Sequence, residues 1–425
     1  MPLHQLQAWQ AATQLARREL KAVDLVRACL DRIAEREPQV HAFVQLDADA
    51  ALAQARVLDA GPVRGLLHGL PFGVKDLFDT FDLPTAYGSP IYAGQQPRAD
   101  AAAVALCREA GAVLLGKTVT TELANMFPGI TRNPHHLAHT PGGSSSGSAA
   151  AVADHLLPLA LGTQTAGSLI RPAAFCGVVA YKPSHNRVPK AGVKSLSETL
   201  DTVGGFARSV RDVALLGAVL TGDTRLADPG LFATSVAPRI GWCQTPEWAH
   251  ADRDTQHAWG LAKAALAGHG GPVDLPDGLT GLVALQKAVQ AFETARSLSA
   301  ERLRHLAQLS APLQALINDG LAISGDTHAA HLLATARARQ QVQTLFQHYD
   351  VLLAPSTLGE APAGLDHTGD PLFCRSWTLL GLPCVHLPFA RGASGLPVGL
   401  QLVGAYGDDH RLLAAAHWVH ERLTR

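Results

Sequence analysis

PGGSSSGS, residues 141–148, runs straight into AAAVADHLLPLAL, residues 149–161, so a glycine- and serine-dense turn is joined to small and apolar residues. Such density permits backbone geometries and close hydroxyl approaches that bulkier side chains forbid. A flexible linker has a similar composition, but a linker is not followed at once by a segment patterned for burial. The stretch therefore reads as part of a packed fold.

Upstream, Asp24 precedes Leu25, Val26, Cys29, Leu30 and Ile33, an apolar stripe at helical spacing, and Pro38 is expected to end that helix, which gives a helix over 24–36. A strand over 40–45, helices over 47–58 and 100–110, and a buried strand over 112–115 follow. Downstream, short apolar strands alternate with helices to about residue 215, the pattern of a sheet covered by helices. Residues 250–348 are rich in Ala, Leu and Gln with long helical periodicity, as over 326–346, and read as a helical layer or lid. Strands return at 351–354, 384–389 and 398–403, before a helix over 409–423. The expectation is one α/β domain over 1–425, with a single large mixed sheet covered on both faces and a helical insertion at about 250–348.

Composition narrows the function. Lys plus Arg total 35 against 36 for Asp plus Glu, a net charge of -1. Such a balance offers no broad field for a nucleic-acid backbone or an acidic membrane. The 6 cysteines form no CxxC pair, which points to a reduced, cytoplasmic protein. Neither a signal peptide nor an uninterrupted apolar run of about 20 residues is present, so no membrane partner is expected.

Two further stretches carry chemistry. GTQTAGSLIRP, residues 162–172, ends an apolar run in a serine bordered by Gly and Ala. Small neighbours free the amides of Thr165, Ala166, Gly167 and Ser168 to point into a pocket, as an oxyanion hole requires. GLPFGVKD, residues 69–76, sends Lys75 in behind apolar residues 71–74. A desolvated amine can act as a base, although the segment alone would also suit a surface lysine beside Asp76.

In combination these motifs resemble the amidase signature family, which carries a GVKD-type lysine, a GGSS-type stretch and a GTxxxGS segment followed by PAAFCG, here residues 172–177. The similarity extends to TELAN from Thr121, KPS from Lys182, APSTLGEAP from Ala354, and TLLGLPCVHLP and GLPVGLQLVG near the C-terminus. It covers nearly the whole chain. The resemblance implies Ser168 as nucleophile, Ser144 as a bridging serine that follows a cis peptide, Lys75 as base and Ser145 in support. Neutral Lys75 would draw a proton from Ser144, which draws one from Ser168. An ordinary lysine titrates near ~10.4, so bringing it to about 7 costs on the order of 5 kcal/mol and requires burial. Many members have Asp at the place of Gln164, Gly at that of Ala166, and an arginine two residues after the nucleophile. Here Ile170 holds that place and Arg171 the next, which leaves Arg171 as a pocket candidate beside Met126, Phe127, Phe373 and Trp377.

Two motifs are decoys. GAVLLGKT, residues 111–118, fits the phosphate-loop pattern, yet its centre reads as a strand and Lys117 as a residue of the fold. His135, His136 and His139 lie between Pro134 and Pro141, which disfavours the helix that such metal spacing would use. No cofactor or metal is expected. The leading function is hydrolysis of a small carboxamide or urea-like compound, with a homodimer or a small partner subunit compatible. The alternatives are the glutamine-hydrolysing A-type subunit of a tRNA-dependent amidotransferase and a non-enzymatic binding protein on the same scaffold.

Overall fold

The computed structural model describes residues 1–233 and 236–424; residues 234, 235 and 425 of the expected 1–425 domain lie outside them. The described strands are β1 (Phe43–Leu46), β2 (Pro71–Lys75), β3 (Val113–Thr118), β4 (Leu159–Gln164), β5 (Val179–Lys182), β6 (Thr202–Ala207), β7 (Ile240–Trp242), β8 (Gly270–Pro272), β9 (Val351–Pro355), β10 (Cys384–Arg391) and β11 (Pro397–Gly404). They form one 11-stranded sheet in the order β1-β3-β2-β4-β6-β5-β10-β11-β9-β7-β8. β2 lies parallel to β3 and β4, and β7 parallel to β8 and β9. The strands from β4 through β6, β5, β10 and β11 to β9 pair antiparallel. The sheet is therefore mixed, with helices on both faces.

Strands β2, β3, β4, β5, β6, β9 and β11 are buried along their whole length. Covering on both faces explains why they read as short apolar runs without alternation. After the insertion the chain re-enters the same sheet, where β9 sits between β11 and β7.

Two expectations are corrected. The first long helix runs Ala22–Val40, with Pro38 inside its last turn. Glu37 closes that turn around the proline: its carbonyl accepts from His41 N, and its carboxylate accepts from the amides of Ala42 and Phe43 at 3.0 and 2.8 Å. The next strand consequently starts at Phe43, not at residue 40. The insertion, in turn, is not wholly helical. Between the helices Arg253–Ala265 and Leu282–Ser297 it contributes β8 to the sheet edge, a glycine-rich strand too short to show periodicity.

Candidate active site

Lys75 ends β2 with none of its surface exposed. Its Nζ donates to Ser144 Oγ at 2.7 Å and to Thr163 Oγ1 at 2.8 Å. No carboxylate pairs with it among the described residues, because its chain neighbour Asp76 is engaged with Lys117 at 3.1 Å. Burial pulls the Lys75 ammonium down to about 7; the Asp201 carboxylate opposes this and the Arg171 guanidinium reinforces it. An amine at that value is largely neutral just above pH 7 and can accept a proton.

Ser144 follows a cis peptide, Gly143–Ser144. The Gly143 carbonyl accepts from Arg171 Nη2 at 2.7 Å and Nε at 3.2 Å, and Arg171 Nη1 donates to the Gly369 carbonyl. Ser145 supports the turn from the other side, as its Oγ donates to the Thr163 carbonyl at 3.3 Å and accepts from Thr163 N at 3.4 Å. The helix Ser146–Ala153 then begins against the end of β3. A Cβ on Gly147 would stand 2.2 Å from the Ala42 carbonyl oxygen and 2.4 Å from Val119 N, so only glycine fits there.

The second serine sits in the loop after β4. Gln164 shapes this loop: its Oε1 accepts from the amides of Leu169 and Ile170 at 2.9 and 3.1 Å, and its Nε2 donates to Thr378 Oγ1 at 2.9 Å. Thr378 in turn donates to the Ala166 carbonyl at 2.7 Å. Thr165 is held through its Oγ1, which donates to Asp201 at 2.6 Å, and through its carbonyl, which accepts from Gln286 Nε2 at 3.0 Å. With the loop fixed from outside, the amides of Thr165, Ala166, Gly167 and Ser168 donate to no acceptor among the described residues. Four successive free N–H groups around a serine can stabilise an oxyanion.

Ser168, Thr165 and Ala166 line a cavity of about 440 Å³. The opposite wall comes from the insertion, through Lys287, Gln290, Pro312 and Leu316 among others. The structure thus joins Lys75 to Ser144 directly and sets Ser168 on the cavity wall. No hydrogen bond links Ser144 to Ser168 among the described residues; catalytic bonds are commonly loose in unliganded enzymes.

The expected pocket residues divide. Met126 and Arg171 line the cavity, although the guanidinium of Arg171 is spent on backbone carbonyls. Phe127 does not line it and is 52% exposed. Phe373 and Trp377 are each 2% exposed and also absent from its walls; the helix Leu372–Leu379 turns them inward and presents Arg375 to the cavity. Sequence reasoning missed Thr163, Asp201, Gln286 and Arg375, each of which acts through contacts distant along the chain, and Asn125, which lines the cavity. Lys117 lies within β3 and donates to the Phe78 carbonyl and Thr85 Oγ1 besides pairing with Asp76, so the GAVLLGKT pattern is strand and not phosphate cradle. His135 and His139 bond the carbonyls of Cys176 and Ala361. Among the described residues no helix is long and apolar enough to cross a membrane.

A buried lysine tied to one serine, with a second serine on a donor-rich loop at the cavity wall, fits a hydrolase that works through serine and lysine. A family model described as Amidase matches residues 24–413. Among curated proteins, the A-type subunit of the glutamyl-tRNA(Gln) amidotransferase of Roseiflexus castenholzii is 35% identical over 477 residues, covering 100% of this chain and 96% of its own. Among solved structures, an amidase is 31% identical with a TM-score of 0.88, covering 98% of this chain and 100% of its own. A chain from a vestigial protein complex that reveals the origins of an s-triazine catabolic enzyme is 27% identical with a TM-score of 0.89, covering 98% of each. The chain belongs to the amidase family and is a hydrolase of carbon–nitrogen bonds.

Proposed function

We propose that this chain hydrolyses the C–N bond of a small carboxamide or urea-like compound through an acyl-enzyme on Ser168. Neutral Lys75 takes the proton of Ser144 as Ser144 takes that of Ser168, and Ser168 Oγ attacks the amide carbon. The amides of residues 165–168 receive the charge that develops on the carbonyl oxygen. The relay, run backwards, protonates the nitrogen as the C–N bond breaks, which leaves an ester on Ser168. Water then gives its proton to the same relay, attacks the ester and releases the acid. Ser145 orders the turn and transfers nothing. The observation that carries this reading is an amine with no carboxylate partner among the described residues, 2.7 Å from Ser144 Oγ and drawn down to about 7. Ammonia release from a panel of carboxamides, glutamine and biuret-type compounds, with Ser168→Ala as blank, tests it. A wild-type enzyme that releases no ammonia and forms no covalent adduct at Ser168 with an activated ester would refute it.

The full-length similarity to the A-type subunit of glutamyl-tRNA(Gln) amidotransferase supports a second reading, in which the amide is that of glutamine and the chain works within a complex. Glutamine hydrolysis that requires the addition of partner proteins would favour it. Turnover of simple amides by the isolated chain, alone or as a homodimer, would favour the first. A small partner subunit is compatible with either.

A further inference from the structure

Arg375 projects from the helix Leu372–Leu379 into the cavity that Ser168 lines. Its Nη1 donates to Gln286 Oε1 and, at 3.3 Å, to Gln290 Oε1. Its Nε is buried and donates to nothing, its Nη2 makes no bond among the described residues, and no carboxylate there reaches ion-pair distance. Leaving a guanidinium desolvated and unpaired is costly, and an anion in the cavity would offset that cost.

The surroundings agree. Asn125, 5% exposed, lines the same cavity with its Nδ2 buried and unpartnered, so a second donor stands unused. Among the described residues the lining carries three cationic side chains, Arg171, Lys287 and Arg375, against one carboxylate, Asp319. Arg171 is committed to carbonyls, and Lys287 and Asp319 are exposed. Arg375 is therefore the cation inside. Its position relative to the reacting centre is also fixed, because Thr378 of the same helix bonds the Ala166 carbonyl and Pro371 packs where a Cβ on Gly167 would fall.

We propose that Arg375 is a specificity-determining residue that binds a carboxylate on the acyl portion of the substrate, which makes the substrate class primary amides of acids bearing a second carboxylate. The inference rests on the amide-hydrolysis reading: when ammonia is the leaving group, only the acyl portion can carry the anion. Dicarboxylic acid monoamides and amino-acid side-chain amides share this chemistry. The latter add an ammonium, for which Asp319, the one carboxylate in the lining among the described residues, stands exposed.

The test compares kcat/KM for the monoamides of succinic and glutaric acids, for glutamine and for pentanamide, in wild type, Arg375→Met and Arg375→Lys. Charged hydrogen bonds of this kind correspond to on the order of 10- to 100-fold. A preference of that size for either carboxylate-bearing group over pentanamide, collapsing in Arg375→Met and partly restored in Arg375→Lys, supports the proposal. Selectivity between the monoamides and glutamine identifies the source of the carboxylate. A wild-type enzyme that cleaves pentanamide as well as the acids, or a preference that survives Arg375→Met, overturns it. Calorimetric binding of glutarate against butyrate to the Ser168→Ala protein separates the two readings. Arg375-dependent glutarate binding without turnover of any amide would support the anion site and refute hydrolysis, whereas amide turnover without such binding would do the reverse.

Discussion

Replacing Lys75 by methionine, which keeps the length of the side chain and removes its amine, should abolish turnover and yet raise the melting temperature near neutral pH. The amine titrates near 10.5 in the unfolded chain and at about 7 in the fold. At about 1.4 kcal/mol per unit, the fold forfeits about 5 kcal/mol at pH 7 and below. Because the folded value is the lower one, the unfolded chain binds the extra proton between pH 7 and 10.5, so wild-type stability rises with pH across that window. Methionine removes this dependence but leaves the hydroxyls of Ser144 and Thr163 each short of one partner, a loss of about 2 kcal/mol together. The variant is then about 3 kcal/mol more stable than wild type at pH 7, equal near pH ~9 and about 2 kcal/mol less stable near pH 10.5. With an unfolding entropy of about 0.9 kcal/mol/K for a chain of this length, these differences become about +3 °C and about -2 °C. Paired thermal melts from pH 6 to 10.5 measure the crossing, and ammonia release measures the loss of activity. A variant less stable than wild type at pH 7, or a difference that stays flat across the window, would refute the assignment of a neutral buried amine.

Other outcomes follow from the same geometry. Wild-type kcat/KM should climb with pH around a midpoint near 7 as Lys75 deprotonates, and a profile flat from pH 5.5 to 8.5 would exclude Lys75 as the base. Arg171→Met strands the carbonyls of Gly143 and Gly369, so thermal denaturation should show a loss of about 2–4 kcal/mol together with a lower kcat. Gly167→Ala places a methyl 2.8 Å from Pro371 Cβ, and the displaced loop should cost about 10- to 100-fold in kcat with KM less affected in steady-state assays. Lys117→Met leaves Asp76 buried without its cation and should destabilise by about 3–5 kcal/mol in urea unfolding, most of which a second change, Asp76→Asn, should recover.

The parts of this architecture legible in the chain are those written locally. The turn at 141–148, the serine after GTQTAG and the lysine after an apolar strand are contiguous motifs; the C-terminal helix Asp409–Leu423 shows its periodicity directly, and the strands after the insertion show as short apolar runs. Strand order is different in kind. β6 lies between β4 and β5, and β9 between β11 and β7, through pairings whose register depends on packing between distant segments. The same holds for Asp201 and Gln286, whose importance lies in meeting Thr165 across the fold. Phe373 and Trp377 read as pocket residues because aromatic side chains suit a core and a pocket equally well. Only the orientation of their helix separates them from Arg375.

β2 and β3 each carry a fully buried lysine, and the register places them apart. Val74 sits opposite Lys117 and Lys75 opposite Thr118, so strand alternation sends the two amines to opposite faces of the sheet. On one face Asp76 meets Lys117 and keeps a counter-ion beside it; on the other Lys75 bonds the hydroxyls of Ser144 and Thr163, with no carboxylate at ion-pair distance among the described residues. Parity thus gives one lysine a counter-ion and the other two hydroxyl partners. An enzyme that keeps its acid one position out of step with its amine can change the floor and walls of its cavity freely, provided no substitution brings a second carboxylate round to the reacting side.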